Sequence, residues 1–516
     1  MLVGVSGRPY PRRVRYDAVV IGAGHNGLTS AAYLARAGRS VLVLERADVV
    51  GGAARSARVF ADYDARLSAY SYLVSLMPQQ VVDELGLDLQ LHRRRISSYT
   101  PTDDSGILID NGDPRRTATD LGRDAQAWQD FYAMTGEVAQ RLFPTMMQPL
   151  RSAREVAALV GDSSWEELFT RPIGETLERR FRRDVVRGIA LTDGLIGTFA
   201  NAHHGSRLAN RCLLYHVIGR GTGDWDVPVG GMGRVTDALR DAAVAAGAQI
   251  RCASEVDSLE TDGELARVGT VAGAVIECDA VFVGAAPQVL DRLRRRASAS
   301  LTPEGAQLKI NLLLSRLPRL RDEAVSSEEA FAGTFHINEG YQQLEAAYAQ
   351  ATRGMIPRLP PCEAYCHSLS DPSILSDDLV ASGAHTVTLF GLHMPARLFR
   401  ADPEGSRAEA RGATLASFNR VLAEPIEDCL LSPETIDVRT PLDVEASVGM
   451  PGGHIFHGHL QWPFAESAAD VGSWGVETAD ANVYLCGSGA RRGGGVSGIP
   501  GRNAVAAYLG EAALTS

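Results

Sequence analysis

The stretch from Tyr16 to Ser56 constrains this chain more than any other, because it sets a short apolar strand, a glycine turn, a helix, a second strand, an acid and a second glycine pair in succession. Asp17-Ala-Val-Val-Ile21 is a β-branched apolar run suited to a buried parallel strand, and it empties directly into Gly22-Ala-Gly-His-Asn-Gly27. In such a turn Gly22 permits the sharp bend, Gly24 lets backbone approach a diphosphate with no Cβ in the way, and Gly27 lets the next helix lie close on the strand. An alanine- and leucine-rich helix is expected from His25 to about Ala37, closed by Gly38 in the left-handed conformation. Its N-terminus, with unpaired N–H groups and the positive end of the helix dipole, is an anion site. Val41-Leu-Val-Leu44 reads as the next buried strand. Glu45 ends it, eighteen positions after Gly27, where a carboxylate accepts from ribose hydroxyls and repels a 2′-phosphate. The expectation is a Rossmann-like unit that holds an adenine dinucleotide by its diphosphate and disfavours NADP.

Two further blocks belong with this unit. Val227-Pro-Val-Gly-Gly-Met-Gly233 leads into an amphipathic helix near Val235–Ala246, a turn and strand at Gly247–Arg251, a hairpin beginning at Glu255-Val256, and the apolar strand Cys278–Ala286. That strand ends in small residues, as expected at the carboxyl edge of a parallel sheet, and is placed beside the first strand. At the C-terminus Asn482–Cys486 runs into Gly487–Asn503, a loop with seven glycines, and then into a helix of small apolar residues. So many positions without a Cβ point to backbone pressed against a flat ligand, with the new helix N-terminus aimed at it. No internal repeat or low-complexity linker divides the chain, so the domains are read as interleaved: 14–80, 227–300 and 470–516 bind the dinucleotide, and 81–226 and 301–469 form the substrate domain.

After Glu45 and Arg46, the second glycine pair Gly51-Gly52 is followed by small residues, a feature that NAD folds do not need and that suits passage along the longer FAD. With the C-terminal loop, the arrangement resembles the phytoene-desaturase-like flavoproteins, in the wider group that includes monoamine oxidases, and within them the branch named pyridine nucleotide-disulfide oxidoreductase domain-containing protein 2. The likeness covers nearly the whole chain, through Tyr16–Ser56, Pro228–Leu239, Lys309–Pro318, Ser370–Ser373, Gly452–Gly458 and Tyr484–Asn503. It implies an α/β fold: a Rossmann-like FAD-binding domain of the glutathione-reductase kind, interleaved with an α+β substrate domain. It also implies that Gly22, Gly24, Gly27, Glu45, Arg46, Gly51 and Gly52 hold the ADP half. Val256 meets the adenine through its backbone, and Gly487, Gly498 and Asn503 lie by the diphosphate and flavin.

The branch name promises a disulfide and a pyridine nucleotide, and the sequence supports neither. No second GxGxxG follows a strand, and no cysteine pair lies near the first helix. Electrons are therefore expected to enter from an organic substrate, as a hydride to flavin N5, and to leave to oxygen, a quinone or a carrier. Lys309, in an apolar strand, is a candidate for proton or oxygen chemistry, as in related amine oxidases that place a lysine near N5. His457, in the group His454, His457 and His459, is the candidate cavity histidine. His203-His204 is a weaker one. The spacing of that histidine group fits neither one helical face nor one strand face, and no metal site is expected.

Composition narrows the class. The chain has 516 residues, 45% hydrophobic, with net charge -11 and 22% charged residues, so it can bury a large core and lacks the basic field that nucleic acid requires. Seven scattered cysteines suit free thiols in a cytoplasmic protein, and Cys362 and Cys366 have neither redox nor zinc spacing. No stretch is long and apolar enough to span a bilayer. The arginines at Arg8–Arg15, Arg93–Arg95, Arg179–Arg183 and Arg292–Arg296 leave a peripheral contact with an anionic membrane as an alternative to solvated faces. The leading reading is an FAD-dependent dehydrogenase or oxidase that desaturates a hydrophobic or amphipathic small molecule. An amine or amino-acid oxidase is the runner-up enzyme, and a flavin-bearing interaction protein without turnover is the alternative of another class. The sequence names neither substrate nor oligomeric state.

Overall fold

The computed structural model describes residues 15–102, 105–297 and 303–514. Arg8, Arg12 and Arg13 of the first arginine group lie outside them, as do the outermost residues of the 14–80 and 470–516 segments and the junction near 300. Strand β1, Arg15–Ile21, leads through the glycine turn into helix α1, His25–Arg36, and strand β2, Val41–Leu44. All four residues of β2 are buried, and α1 is buried from Asn26 to Ala35, which is why its sequence is alanine-rich: it is covered on more than one side. Helices Gly233–Ala245 and Ile499–Leu509 pack against it. Gly38 takes φ +75°, the left-handed stop that ends the helix.

Beside β1 runs Val275–Val283, parallel, with Ala18 opposite Ala280. On the other side lies β2, followed by Gln249–Arg251. The long Val275–Val283 strand serves two partners on its outer edge. Its first half pairs antiparallel with Ala266–Thr270, the middle strand of a meander that begins at Val256–Thr261, and its last residues pair parallel with Val483–Leu485. One seven-stranded sheet thereby gathers the N-terminal, central and C-terminal blocks, as the sequence implies. Its parallel centre, with the glycine turn at the carboxyl end of β1 leading into α1, is the Rossmann-type arrangement expected from the sequence.

A second seven-stranded sheet has the order Ile436–Arg439, Leu308–Leu314, His385–Gly391, Cys362–Tyr365, Thr334–Ile337, Ile96–Pro101, Gly106–Asp110. It is antiparallel except where Thr334–Ile337 meets Ile96–Pro101. Leu308, Ile310, Leu312 and Leu314 turn one face of this sheet into an apolar core of its own. The intervening helices between Pro114 and Val217 pack instead into the core that surrounds α1. A two-stranded ribbon, Ser56–Arg58 with Arg66–Ser68, leaves the first layer, and its loop and second strand pack under the second sheet through Phe60, Ala65 and Leu67.

Candidate active site

The two glycine turns are locked to each other. Gly51 donates its amide to the Ala23 carbonyl at 2.8 Å, and Gly24 and Gly51 form a parallel bridge. Glu45 closes the other side: its carboxylate accepts from the Ala23 amide at 2.7 Å and from the Ala47 amide at 2.8 Å. Between them opens a cleft of about 1170 Å³ at the carboxyl edge of the first sheet. Gly22, Gly24, Gly27, Glu45, Arg46, Gly52 and Val256 line it, together with His457, His25 and Arg292. Gly24 has an ordinary φ of -72°, and a Cβ built on it meets no protein atom within 4 Å. Neither backbone conformation nor packing within the chain requires glycine there, so the residue leaves room for something in the cleft. A Cβ at Gly27, in contrast, would stand 2.1 Å from the Gly22 carbonyl oxygen, which makes Gly27 a packing glycine.

The C-terminal loop reaches the same region. Ser488 lines the cleft, and Ser488, Gly494, Gly495 and Val496 line a second, mostly apolar cavity of about 980 Å³. Gly487, Gly498, Asn503 and Gly51 stand behind these linings. Gly487 packs against Gly284, and Gly498 donates its amide to Asn26 Oδ1 at 3.0 Å as the N-cap of the last helix. Asn503 is fully buried and donates to the Met146 carbonyl at 3.0 Å, with its Oδ1 unpartnered. The loop is held by two arginines the sequence reading passed over. Arg492, 1% exposed, donates to the carbonyls of Thr145, Gln148 and Trp474, and Arg491 donates to those of Trp462 and Phe464. Arg-Arg inside a glycine run was the available signal: a loop so rich in glycine needs donors from elsewhere to fix it.

The cleft and the apolar cavity share His25, Ala53, Met450 and Ser488, so they meet end to end. His25 therefore stands at their junction, a residue hidden in the sequence as the variable position of the glycine turn. Burial holds its imidazole down at about 4 against a backbone hydrogen bond at Gly495, and its Nε2 has no partner. His457 is similar: burial lowers it to about 4, its Nδ1 has no partner, and its φ is +60°. It faces the dinucleotide cleft and not the apolar cavity. His454 turns inward and packs edge-on against His459 at 5.5 Å, so the three histidines do not converge. His203 bonds to Glu178 at 2.9 Å on the outer surface, and neither it nor His204 lines the cavity.

The floor of the apolar cavity is the face of the second sheet opposite its core. Register carries one row of side chains across it: Arg439 opposite Lys309, Lys309 opposite Phe390, Phe390 opposite Glu363, Glu363 opposite His336. Phe390, Glu363, Tyr72 and Tyr365 line the cavity, and Tyr72 stacks on Tyr365 with centroids 5.1 Å apart. Lys309 lies one step behind. Its amine donates to the Ser68 carbonyl at 2.5 Å and the Ala69 carbonyl at 2.9 Å, and Tyr70 and Tyr72 stand between it and the cavity.

Three comparisons with known proteins fall on this geometry. Residues 27–318 match the family described as flavin containing amine oxidoreductase. The chain belongs to that family. An uncharacterized protein, Rv0897c, of Mycobacterium tuberculosis is 46% identical over 96% of the chain and 97% of its own length. The mouse protein named pyridine nucleotide-disulfide oxidoreductase domain-containing protein 2 is 30% identical over 97% of this chain and 94% of its own length. Among solved structures, cyclohexylamine oxidase of Brevibacterium oxydans aligns with TM-score 0.58 at 15% identity, covering 95% of this chain and 98% of that one. A putrescine oxidase mutant aligns with TM-score 0.59 at 18% identity, covering 96% and 99%. The fold is thus that of the flavin amine oxidases. As a family member the chain is an FAD-dependent oxidoreductase, and the cleft suits that cofactor: open at Gly24, capped by a helix N-terminus, and edged by the unpartnered nitrogens of His25 and His457.

Proposed function

We propose that this flavoenzyme dehydrogenates a hydrophobic or amphipathic small molecule held in the apolar cavity. The observation that carries this reading is the end-to-end meeting of the two spaces at His25 and Ser488: one lined by glycine backbone and Glu45, the other by Tyr72, Tyr365, Phe390, Leu73 and Phe456. Bound FAD supplies the hydride acceptor. The chain does the rest: aromatic walls bury the substrate's hydrocarbon and exclude water, and the sheet floor presents polar groups to one end of it. Gly22, Gly24, Gly27, Glu45, Arg46, Gly52 and Val256 are assigned to the ADP half, with Gly51, Gly487, Gly498 and Asn503 as the scaffold behind it. His25 and His457 are assigned to cofactor contacts, and Lys309 to holding or releasing a proton behind Tyr72. Segments 14–80, 227–300 and 470–516 form the FAD domain in this assignment, and 81–226 with 301–469 form the substrate domain.

Oxygen or a quinone is the proposed electron acceptor. A membrane-facing basic surface receives little support. Arg93 pairs with Asp224, Arg95 with Asp110, Arg180 with Glu167, and Arg294 and Arg296 with Asp480. No helix among the described residues is long and apolar enough to cross a membrane.

Anaerobic mixing of the yellow protein with a panel of apolar alcohols, unsaturated precursors and amines tests the reading. Bleaching of the visible flavin band by an apolar or amphipathic member supports it. Bleaching by small polar amino acids alone, or by nothing in the panel, would overturn it.

A further inference from the structure

Glu363, a wall of the apolar cavity, belongs to a buried group of side chains that dehydrogenation does not call for. Strand register sets His336 directly opposite Glu363, on the same sheet face, and Glu339 follows three residues after His336 so that the chain brings its carboxylate back over the pair. One ligand atom from each of the three lies within 4.8 Å of the others. His336 is 5% exposed, and Glu339 and Glu363 are each 1% exposed. This is the one such group among the described residues.

What sets it apart from an ordinary buried network is that it is not satisfied. Neither oxygen of Glu339 meets hydrogen-bond geometry: His336 Nδ1 is 3.6 Å away, and the Thr192 hydroxyl beside it is itself left unpartnered. A buried carboxylate with no donor is costly, and native chains rarely keep one without an ion or a proton to answer it. The other two members have partners: the Tyr365 hydroxyl donates to Glu363, and the Thr100 hydroxyl lies 3.0 Å from His336 Nδ1, the nitrogen that also faces Glu339. Burial also keeps the imidazole of His336 neutral, with a lone pair to give. Burial first, and then neighbouring carboxylates, push the Glu339 and Glu363 carboxyls up, so without a cation this group favours protons that a bound ion would displace.

We propose that His336, Glu339 and Glu363 bind a divalent first-row transition ion, with Zn²⁺ or Mn²⁺ as the class, behind the cavity wall that Glu363 forms. One imidazole nitrogen and two carboxylates form a borderline donor set suited to such ions, and the dication balances the two carboxylates as it displaces their protons. Ligand atoms about 2.1 Å from a common ion are at most about 4.2 Å apart, so the three must draw together by roughly half an ångström from their present spread. Tyr365 then acts as the supporting shell that orients Glu363, while the Thr100 hydroxyl gives up Nδ1 to the ion. Because Glu363 lines the cavity, the open side of the ion faces the substrate space, where it would hold an oxygen donor of the substrate and fix which carbon approaches the cofactor. This departs from the sequence expectation of no metal. The ligands come from two strands and a loop, and no local spacing announces them.

The test uses the full-length FAD-loaded protein, dialysed against a chelator and then against Zn²⁺ or Mn²⁺, with metal per chain measured by mass spectrometry and flavin absorbance followed in parallel. One ion per chain is expected, with at least a tenfold loss of affinity in E339Q and H336N at unchanged flavin content. Wild type retaining under a tenth of an equivalent, or E339Q and H336N binding as wild type does, would overturn the proposal. Should either variant lose its flavin, pulsed EPR of the Mn²⁺-loaded wild type decides. Coupling to one imidazole nitrogen supports the site, and its absence refutes it. None of these readouts involves turnover, so the metal site stands or falls apart from the dehydrogenase reading.

Discussion

The amine of Lys309 lies 4.9 Å from the centre of the Tyr72 ring, and Tyr72 is a wall of the apolar cavity, so a buried cation-forming group sits one side chain away from the substrate space. Burial lowers the Lys309 pKa from its ordinary 10.5 to about 7, with Asp437 drawing it up and Arg439 pressing it down. The two carbonyls it touches accept from either protonation state. Above about pH 7 the amine is neutral in the folded chain and can take a proton. Flavin reduction by substrate is therefore expected to rise with pH through an inflection near 7 and to level off above it. K309M should lose the inflection and slow reduction by about 100-fold, within the usual range for removal of a general base. Stopped-flow reduction across pH 5.5 to 9, in about half-unit steps, is the measurement, and an inflection retained in K309M would exclude Lys309 as its source. The same shift bears on stability. Between pH 7 and 10.5 the unfolded chain holds the proton more tightly than the folded one. The contribution is thus fully present above the unfolded value and is lost as pH falls toward 7.

Gly24 and Gly27 are three residues apart and should behave oppositely. A Cβ at Gly24 meets no protein atom within 4 Å and needs no unusual φ, so G24V should cost the apoprotein only the loss of a glycine N-cap, about 1 kcal/mol or less. It should nonetheless purify with less than a tenth of the wild-type flavin. In G27A the added Cβ meets the Gly22 carbonyl oxygen at 2.1 Å, so stability itself should fall, by about 1–3 kcal/mol for overpacking. Flavin absorbance per chain and urea denaturation of the apoproteins distinguish the two. A G24V protein that keeps its flavin would remove the argument that this glycine makes room for the cofactor.

Glu45 accepts from the Ala23 amide of the first glycine turn and from the Ala47 amide two residues on, and E45Q replaces one acceptor oxygen by an NH₂ that cannot serve either. One partly buried amide is left facing a donor, at a cost of about 1–3 kcal/mol. FAD should bind E45Q roughly 5- to 150-fold more weakly on that basis. Titration of apoprotein by quenching of flavin fluorescence reads this directly, and unchanged affinity would show that the carboxylate is dispensable to the cleft.

How much of this was legible in the sequence follows from how local each feature is. The β1, α1 and β2 unit, its glycine turn and the placing of Cys278–Ala286 beside β1 are fixed by runs of apolar residues and glycines a few positions apart, and the structure has them where the sequence puts them. The C-terminal loop was legible as a ligand-facing segment, but its lining fell to Ser488, Gly494 and Gly495. Gly487 and Gly498 went to packing and capping, a division that depends on which atoms lie opposite. His25 was passed over because the glycine pattern treats it as a filler position. Glu339, His336 and Glu363 were invisible, since only the register between Thr334–Ile337 and Cys362–Tyr365 brings them together. Lys309 was found for its apolar surroundings, yet the Ser68 and Ala69 carbonyls that hold it back from the cavity come from a distant ribbon whose path no periodicity reveals.

The C-terminal helix is tied to α1 by a buried ionic knot that should dominate the stability of the cofactor layer. Arg502 is fully buried and donates to both oxygens of Glu84, at 3.0 and 3.2 Å, while the Tyr33 hydroxyl of α1 donates to the same carboxylate at 2.5 Å. Burial alone would raise the Glu84 pKa, but the donors from Arg502, Tyr33 and Gln80 outweigh it and hold it below the usual carboxylate range. Removing the cation in R502M leaves a carboxylate short of its partner, and loss of one half of such a pair costs about 3–5 kcal/mol. Because Glu84 is depressed in the folded state, its contribution is present above the unfolded carboxylate pKa and is lost as pH falls through the folded one. The gap between wild type and R502M, read from urea denaturation midpoints, should therefore be large at pH 7 and shrink steadily in acid. E84L, which removes the charge from the other side, should cost more than the double variant R502M/E84L, because the second change relieves the stranded guanidinium left by the first. A double variant no more stable than E84L alone would show that the knot acts through packing and not through the pairing of its charges.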